Sequence, residues 1–569
     1  MEFGLGVSHR LPGTNNLDCG RDDGKRFVVR AEEKLAAFVK LEAANSGRAA
    51  DSMKRLYFSA VGSSGTAEVT TALLFRCGTR CGSLRFYGMK PMTRSVTSLF
   101  ATSTIMAGLL LMALAAKPPP PTSTGFARAY SVPYSYSVAE SVSQASSGSF
   151  VVGALCNQGA CNGPATVLRV DSSGNIQSQT QYSYGTGPQS TALNIIKATS
   201  DGGALYAGQP QFGCPAQNLN SCGAIVKVDS SGNVQWANNL LFATTAPPPY
   251  SSPLTWPPDI QQTTDGGYVL VRYANAPSEN YNPWIAKLTS RGQVQWTHVF
   301  ACPNNEYGYG LSVRQTSDGG FIVGGDANYV VSPSYTESEI AVFKLDSTGA
   351  LVWQRNYAAG TGVYFDSFAL TSDGGFIVSG SVDQQQTPTS YTSSVLLLKL
   401  DSTGNTQFAR TYLPSGSISD LNIAGAQQTS DEGYAFAGYY FQNTIYDERA
   451  WMVKTDASGN VQWNKIYGPD VQYSDRYFHS FQQTSDGGFV AAGSTNEFNS
   501  GDNSLWLVKT DFNGNISNCA DVHNDSAATG SIAVTVSNGD LLAVKDGFSY
   551  VADSLILSSA PLAATRECH

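Results

Sequence analysis

Thr371-Ser372-Asp373-Gly374-Gly375-Phe376-Ile377 and, further on, Lys399-Leu400-Asp401-Ser402-Thr403-Gly404-Asn405 are the two phrases that decide the fold of this chain. Both are turn chemistry. Asp-Gly and Gly-Gly accept positive φ, so a tight hairpin closes without a Cβ clash. An Asp side chain can bond its own backbone two residues on, which suits Asp-x-x-Gly-Asn. The flanks are short, apolar and rich in β-branched and aromatic residues, as in Phe489-Val490-Ala491-Ala492 and Leu505-Trp506-Leu507-Val508. Such runs bounded by turn residues read as strands.

The first phrase recurs about every 55 residues, at Asp201, Asp265, Asp318, Asp373, Asp431 and Asp486, with a worn copy at Ser146-Ser147-Gly148-Ser149-Phe150-Val151. The second follows each time, at Asp171, Asp229, Asp346, Asp401, Asp456 and Asp511, with Thr289 in its place in the third unit. A repeat of this period means stacked or radial units. Each unit supplies four short strands, and no segment past residue 120 has a helical period. The prediction is an all-β protein, a seven-bladed β-propeller of four-stranded antiparallel blades over residues 126–518. Phe126-Ala127-Arg128-Ala129-Tyr130 repeats Phe408-Ala409-Arg410-Thr411-Tyr412, whereas the last unit lacks a good fourth strand. Residues 126–130 are therefore predicted to complete the last blade and close the ring, removing the sticky edges of an open array.

Residues 99–116 form the one long apolar run, after Lys90 and Arg94, with Ala113-Leu114-Ala115 and a Lys117-Pro118-Pro119-Pro120-Pro121 stretch behind it. That layout predicts a signal peptide over 89–116, with a membrane anchor as the alternative reading, then a Pro-rich linker at 117–125. The propeller is expected outside the cytoplasm. Residues 1–88 lack the repeat and are expected to be a poorly ordered or non-native extension, with Met89 or Met92 as the start of the exported chain. Charge splits at the same boundary. Residues 1–116 carry 15 Lys and Arg against 9 Asp and Glu, and residues 117–569 carry 20 against 35. An acidic domain argues against nucleic acid or anionic lipid as partner. Membrane contact is expected only through an uncleaved N-terminal segment.

Cysteine positions agree with an oxidising compartment. Cys156 with Cys161, Cys214 with Cys222, and Cys519 with Cys568 are predicted as local disulfides, the last pinning a small β-rich tail over 519–569. Cys302 is left over.

In a four-strand meander the first and third turns share one face. Here those are the two uniform phrases. The second turns and the links between blades vary, and function on a rigid scaffold sits on variable loops. Aromatics there, Trp256, Tyr307, Tyr309, Tyr364 and Tyr473, are the predicted ligand contacts, with Tyr446 among their neighbours. Tyr and Trp combine flat apolar area with a polar handle. Acidic residues before the inner strands, Asp259, Glu306, Asp366, Asp420 and Asp475, are the candidate cation ligands, with calcium as the possible ion. Trp236, Trp296, Trp353 and Trp463 recur at one blade position and read as packing between blades. The sequence holds no Gly-x-Ser-x-Gly, His-Glu-x-x-His or P-loop pattern, and no catalytic residue is assigned.

The alternation of Thr-Ser-Asp-Gly-Gly-Phe-Ile with Lys-x-Asp-x-x-Gly-x-x-x-Trp resembles repeat proteins exported by many bacteria and archaea as cell-surface or secreted proteins. The resemblance covers residues 126–518 and implies a β-propeller. The second phrase is also similar to the tryptophan-docking repeat of quinoprotein propellers, which has one more residue between Asp and Gly. The cofactor residues of those enzymes have no counterpart here. The expected role is a non-enzymatic binding or surface module for a glycan, a protein or the cell envelope. The alternatives are a carbohydrate-active or quinone-type enzyme and a structural surface component.

Overall fold

A computed structural model describes the backbone of residues 16–20, 26–30, 52–61, 68–77 and most of 125–568, and side chains within 125–537; the longest stretches left out of the latter part are 211–222, 243–258 and 302–310. The predicted signal peptide, linker residues 117–124, Trp256, Glu306, Tyr307, Tyr309, Cys161, Cys214, Cys222 and Cys302 lie outside the described residues, and Cys156 and Cys568 are described as backbone only. The chain divides into two compact units, Met1–Pro119 and Pro120–His569. The first carries two hairpins, Asn16–Gly20 with Arg26–Arg30 and Ser52–Val61 with Glu68–Cys77. Among the described residues every element is a strand, and no helix is long and apolar enough to cross a membrane.

The second unit is a seven-bladed β-propeller. Each blade is an antiparallel meander whose inner strand lines the central channel. The ring closes as predicted. Phe126–Ser131 is the fourth strand of blade seven, beside Ser504–Thr510. Seven apolar clusters hold the ring, one between each pair of neighbouring blades. The middle strands are buried on both faces, as in Ser504–Thr510, so their sequences run apolar rather than alternating.

The two repeated phrases join in space. The Lys of the second reaches the Asp of the first within the same blade, at 2.8 Å for Lys227–Asp201, 2.9 Å for Lys287–Asp265 and 3.0 Å for Lys399–Asp373. Blades four, six and seven repeat it with Lys344–Asp318, Lys454–Asp431 and Lys509–Asp486. The same ammonium donates to the next residue's carbonyl, as Lys399 does to Leu400 at 2.9 Å. The Asp also takes the Thr hydroxyl and the N–H of the second Gly, as Asp201 does from Thr199 at 2.6 Å and Gly203 at 3.0 Å. A Cβ on Gly203 would stand 2.1 Å from the Val228 carbonyl oxygen and 2.6 Å from Lys227 Nζ, which is why that position is glycine. Blade one, the worn copy, replaces this pair with Arg169, which donates to the Gly202 and Asp229 carbonyls of blade two.

The second turn is self-contained. Asp401 Oδ1 accepts from the N–H groups of Thr403 and Asn405, at 2.8 and 2.9 Å, and Oδ2 accepts from the Asn405 amide at 3.0 Å. In blade three the Thr289 hydroxyl accepts from Arg291 and Gln293 instead. A tyrosine from the preceding outer strand bonds this turn's Gly carbonyl: Tyr182 to Gly232, Tyr357 to Gly404, Tyr412 to Gly459 and Tyr467 to Gly514. Tyr130 of the closing strand does the same to Gly174 at 2.7 Å. The recurring tryptophans pack between blades, with Trp236 against Tyr268, Trp296 against Phe321 and Trp463 against Phe489.

The tail is more than an appendage. From Val522–Asn524 to Ala563–Cys568 it lays one short antiparallel strand along the outer edge of each blade in turn. Every blade thereby gains a fifth strand.

Candidate functional site

The inner strand of blade two slips in register between Ala192 and Ile195, and four other inner strands share a one-residue register slip at one level. It falls between Ala139 and Ser141 in blade one, Phe365 and Ser367 in blade five, Ile423 and Gly425 in blade six, and Phe478 and Ser480 in blade seven. A bulge leaves one residue unpaired and re-aims its side chain. The residues so released are Glu140, Asp366, Ala424 and His479. Tyr439, on the second strand of blade six, stands near this level. Its ring meets Tyr477 edge-on at 4.8 Å and His479 at 5.8 Å, and Tyr477 stacks on His479 at 5.7 Å.

Among the described residues, no counter-charge reaches Glu140 or Asp366. Burial pushes the Glu140 carboxyl up to about 7 and the Asp366 carboxyl up to about 8. Asp366 Oδ2 is shut from solvent without a hydrogen-bond partner. Burial pushes His479 down to about 4, so its ring is neutral at pH 7. Burial, then the charges of Glu448, Asp420, Asp366 and Glu140, push the Tyr439 phenol up to about 12.

Above this level the loops of blades six and seven form a rim. Tyr446, in the turn after Tyr434–Gln442, and Tyr473, in the link to blade seven, stack with ring centroids 6.3 Å apart and planes at 23°. They are the most exposed large side chains of this rim, at 59% and 70%. Both are held at positive φ, 51° and 62°, and Asp420 beside them at 46°. Non-glycine residues in that region cost about 1–3 kcal/mol and persist only where surroundings enforce them. Here the enforcement is a buried charge network. Asp447 lies fully buried between Arg449 at 3.3 Å and Arg476 at 3.7 Å. Arg476 is also bonded to Glu497. Ser474 donates its N–H to Asp447 at 3.1 Å and its hydroxyl to Glu497 at 2.9 Å. Burial raises Asp447 to about 6 against the pull of both arginines.

Inside the rim, Glu448 Oε2 is buried without a hydrogen-bond partner. Burial, then the charges of Asp475, Asp420 and Asp447, raise Glu448 to about 7. Burial raises Asp475 too, against Arg476 and Asn496.

The predicted site residues thus separate. Asp366, Asp420, Asp475 and Tyr473 fall in this corner, over blades five to seven. Tyr364 is 40% exposed at the start of the blade-five inner strand. Asp259 begins the blade-three inner strand. It is buried and bonded to the Arg314 guanidinium and the Ser312 hydroxyl, so its carboxylate is already neutralised between blades three and four. Among the described residues no group of three or more His, Cys, Asp or Glu is placed to hold a metal ion. Sequence reading missed Glu140, His479, Tyr439 and Glu448. Two of them had a signal: Glu140 and His479 stand four residues before Gln144 and Gln483, the position Asp366 holds before Leu370.

No family model matches the chain, and no curated protein matches it either. Solved structures that resemble it include the alpha-L-arabinanase of Penicillium chrysogenum complexed with arabinobiose, at 8% identity and TM-score 0.38, covering 69% of this chain and 99% of that one. The polysaccharide lyase Uly1 is another, at 10% identity and TM-score 0.39, covering 70% of this chain and 94% of that one.

Proposed function

We propose that this protein is an exported, non-enzymatic binding module, and that its ligand is a glycan seated on the loop face of blades six and seven. The observation that carries the reading is the Tyr446–Tyr473 platform, two stacked and exposed rings fixed at positive φ by a buried charge network. Flat aromatic area with hydroxyl handles suits the apolar face of a sugar ring, and a pre-set platform loses little entropy on binding. The test is a glycan array probed with the purified chain, with calcium and with chelator. Saturable binding to one glycan class, lost by more than about tenfold in the Tyr446→Ala, Tyr473→Ala double variant, supports the reading. A blank array in both conditions moves the assignment to a protein or envelope partner.

One observation favours the enzymatic alternative. Glu140, Asp366 and Glu448 are carboxyls held near neutral pKa beside the channel, the range in which a general acid or base works. Release of reducing or unsaturated ends from a polysaccharide, abolished in Asp366→Asn or Glu448→Gln, would establish it.

A further inference from the structure

The tail begins and ends at the same place. It leaves blade seven after Ile516, which is buried in the blade six–seven core together with Ala127, and Cys519 packs against that core. Its strands then run backwards round the ring: Val522–Asn524 on blade six, Ala528–Ser531 on five, Thr535–Ser537 on four, Leu542–Val544 on three, Phe548–Ala552 on two and Ile556–Ser558 on one. It returns to blade seven as Ala563–Cys568, where Cys568 stands in register with Ala127 of the closing strand. Cys519 is disulfide-bonded. Both ends of a circumferential segment therefore return to blade seven, one against the core that contains Ala127 and the other in register with Ala127 itself.

We infer that Cys519 and Cys568 form a clasp that closes residues 519–568 into a covalent belt around the assembled propeller. Taken singly, the belt contacts are weak. The strands are three to six residues long, and Ala528–Ser531 and Thr535–Ser537 are exposed throughout. Among the described residues, Val522, Ala527, Ile532 and Val534 rest on the blade cores, Lys465 bonds Asn524 at 2.9 Å, Ser415 bonds Asp525, and the Asp525 N–H donates to the Asn464 carbonyl at 3.0 Å. An open belt of this kind peels from its free end, one strand at a time. A closed one has no free end. The strand it finishes on, Phe126–Ser131, is the one that closes the ring without any covalent link to blade seven. The clasp thus locks the seam at which the ring closes.

Forming it is a two-electron oxidation. The Cys519 and Cys568 thiols lose two protons and two electrons to an incoming disulfide, which leaves as two thiols, and the new Sγ–Sγ bond remains. The blades must assemble first, because the belt strands pair only with finished outer strands. Reduction opens the belt and leaves the seven apolar interfaces untouched.

The test uses the full chain. Peptide mapping without reduction is expected to give one fragment pair joining Cys519 to Cys568; a link from Cys519 to any other cysteine overturns the proposal. Hydrogen exchange on the folded protein is then compared before and after a thiol reductant, and in the Cys519→Ser, Cys568→Ser double variant. Amides of 522–568 and of the closing strand 126–131 are expected to exchange about tenfold faster or more once the clasp is open, with those of Phe376–Thr387 unchanged. Unfolding in guanidinium is expected to speed up by a similar factor. Equal exchange and equal unfolding with the link broken overturn the clasp, and because reduction acts on an already folded chain, this holds even if the double variant fails to fold.

Discussion

The two faces of the propeller treat their carboxylates in opposite ways. On the turn face each aspartate of the first phrase has a lysine, a hydroxyl and an N–H waiting for it. Against the upward push of burial, Lys227, Thr199 and Gly203 hold Asp201 at about 2, and Asp265 and Asp318 are held at about 2 by the equivalent groups. For Glu140, Glu448 and Asp366, on the loop face and in the channel, burial meets no such compensation, and they rise to about 7, 7 and 8. The repeat satisfies its own charges where it is uniform. Where the chain departs from the repeat, it leaves groups poised to give or take a proton or a ligand.

The largest effect is expected at the support of the loop face. Arg476→Met leaves Asp447 and Glu497 buried without their shared cation and should destabilise by about 3–5 kcal/mol in a denaturant titration. On the turn face Lys399→Met should cost about 1–2 kcal/mol, because Asp373 is 36% exposed and can turn to water. Equal losses would mean that the two faces do not differ as described.

The pH profile sharpens the same contrast. The turn aspartates sit below the unfolded value of about 4, so their stabilisation is complete above that pH and is lost as pH falls toward about 2. The channel carboxyls sit above their unfolded values, so the folded state keeps protons that the unfolded state has released. Their contribution falls as pH rises from about 4 through about 8. The denaturation midpoint should therefore peak near pH 4–5 and decline on both sides; Asp366→Asn should flatten the alkaline arm alone.

Glu432 sits at φ 70° where the other first-phrase turns carry Gly, as Gly374 does at 80°. Glu432→Gly should relieve the strain and stabilise by about 0.5–1 kcal/mol, read as a raised melting temperature. The smallest effect on stability, within about 0.5 kcal/mol, is expected from Tyr446→Ala with Tyr473→Ala, because both rings are exposed, while ligand binding is lost.

Much of this architecture was legible because turn chemistry is local. Asp-Gly-Gly and Asp-x-x-Gly announce their hairpins from a few neighbouring residues, and the repeat of Phe126–Tyr130 with Phe408–Tyr412 announced the closing strand. The belt strands were hidden because they are short, carry no phrase, and owe their pairing to blade edges that only the finished ring supplies. Asp259 looked like a channel ligand because sequence does not show that Arg314, one blade away, would neutralise it.

The sequence by itself thus determined the number of blades, their strand order and the seam of the ring, since periodic turns and apolar runs act over a handful of residues. Only the tertiary structure decided which charges are compensated. It joined Lys399 to Asp373, buried Asp447 between two arginines, and brought Glu140, Asp366 and His479 from three blades to one level of the channel. Those are relations between residues far apart in the chain. Burial and Coulomb attraction depend on distance through space, which the order of residues does not contain.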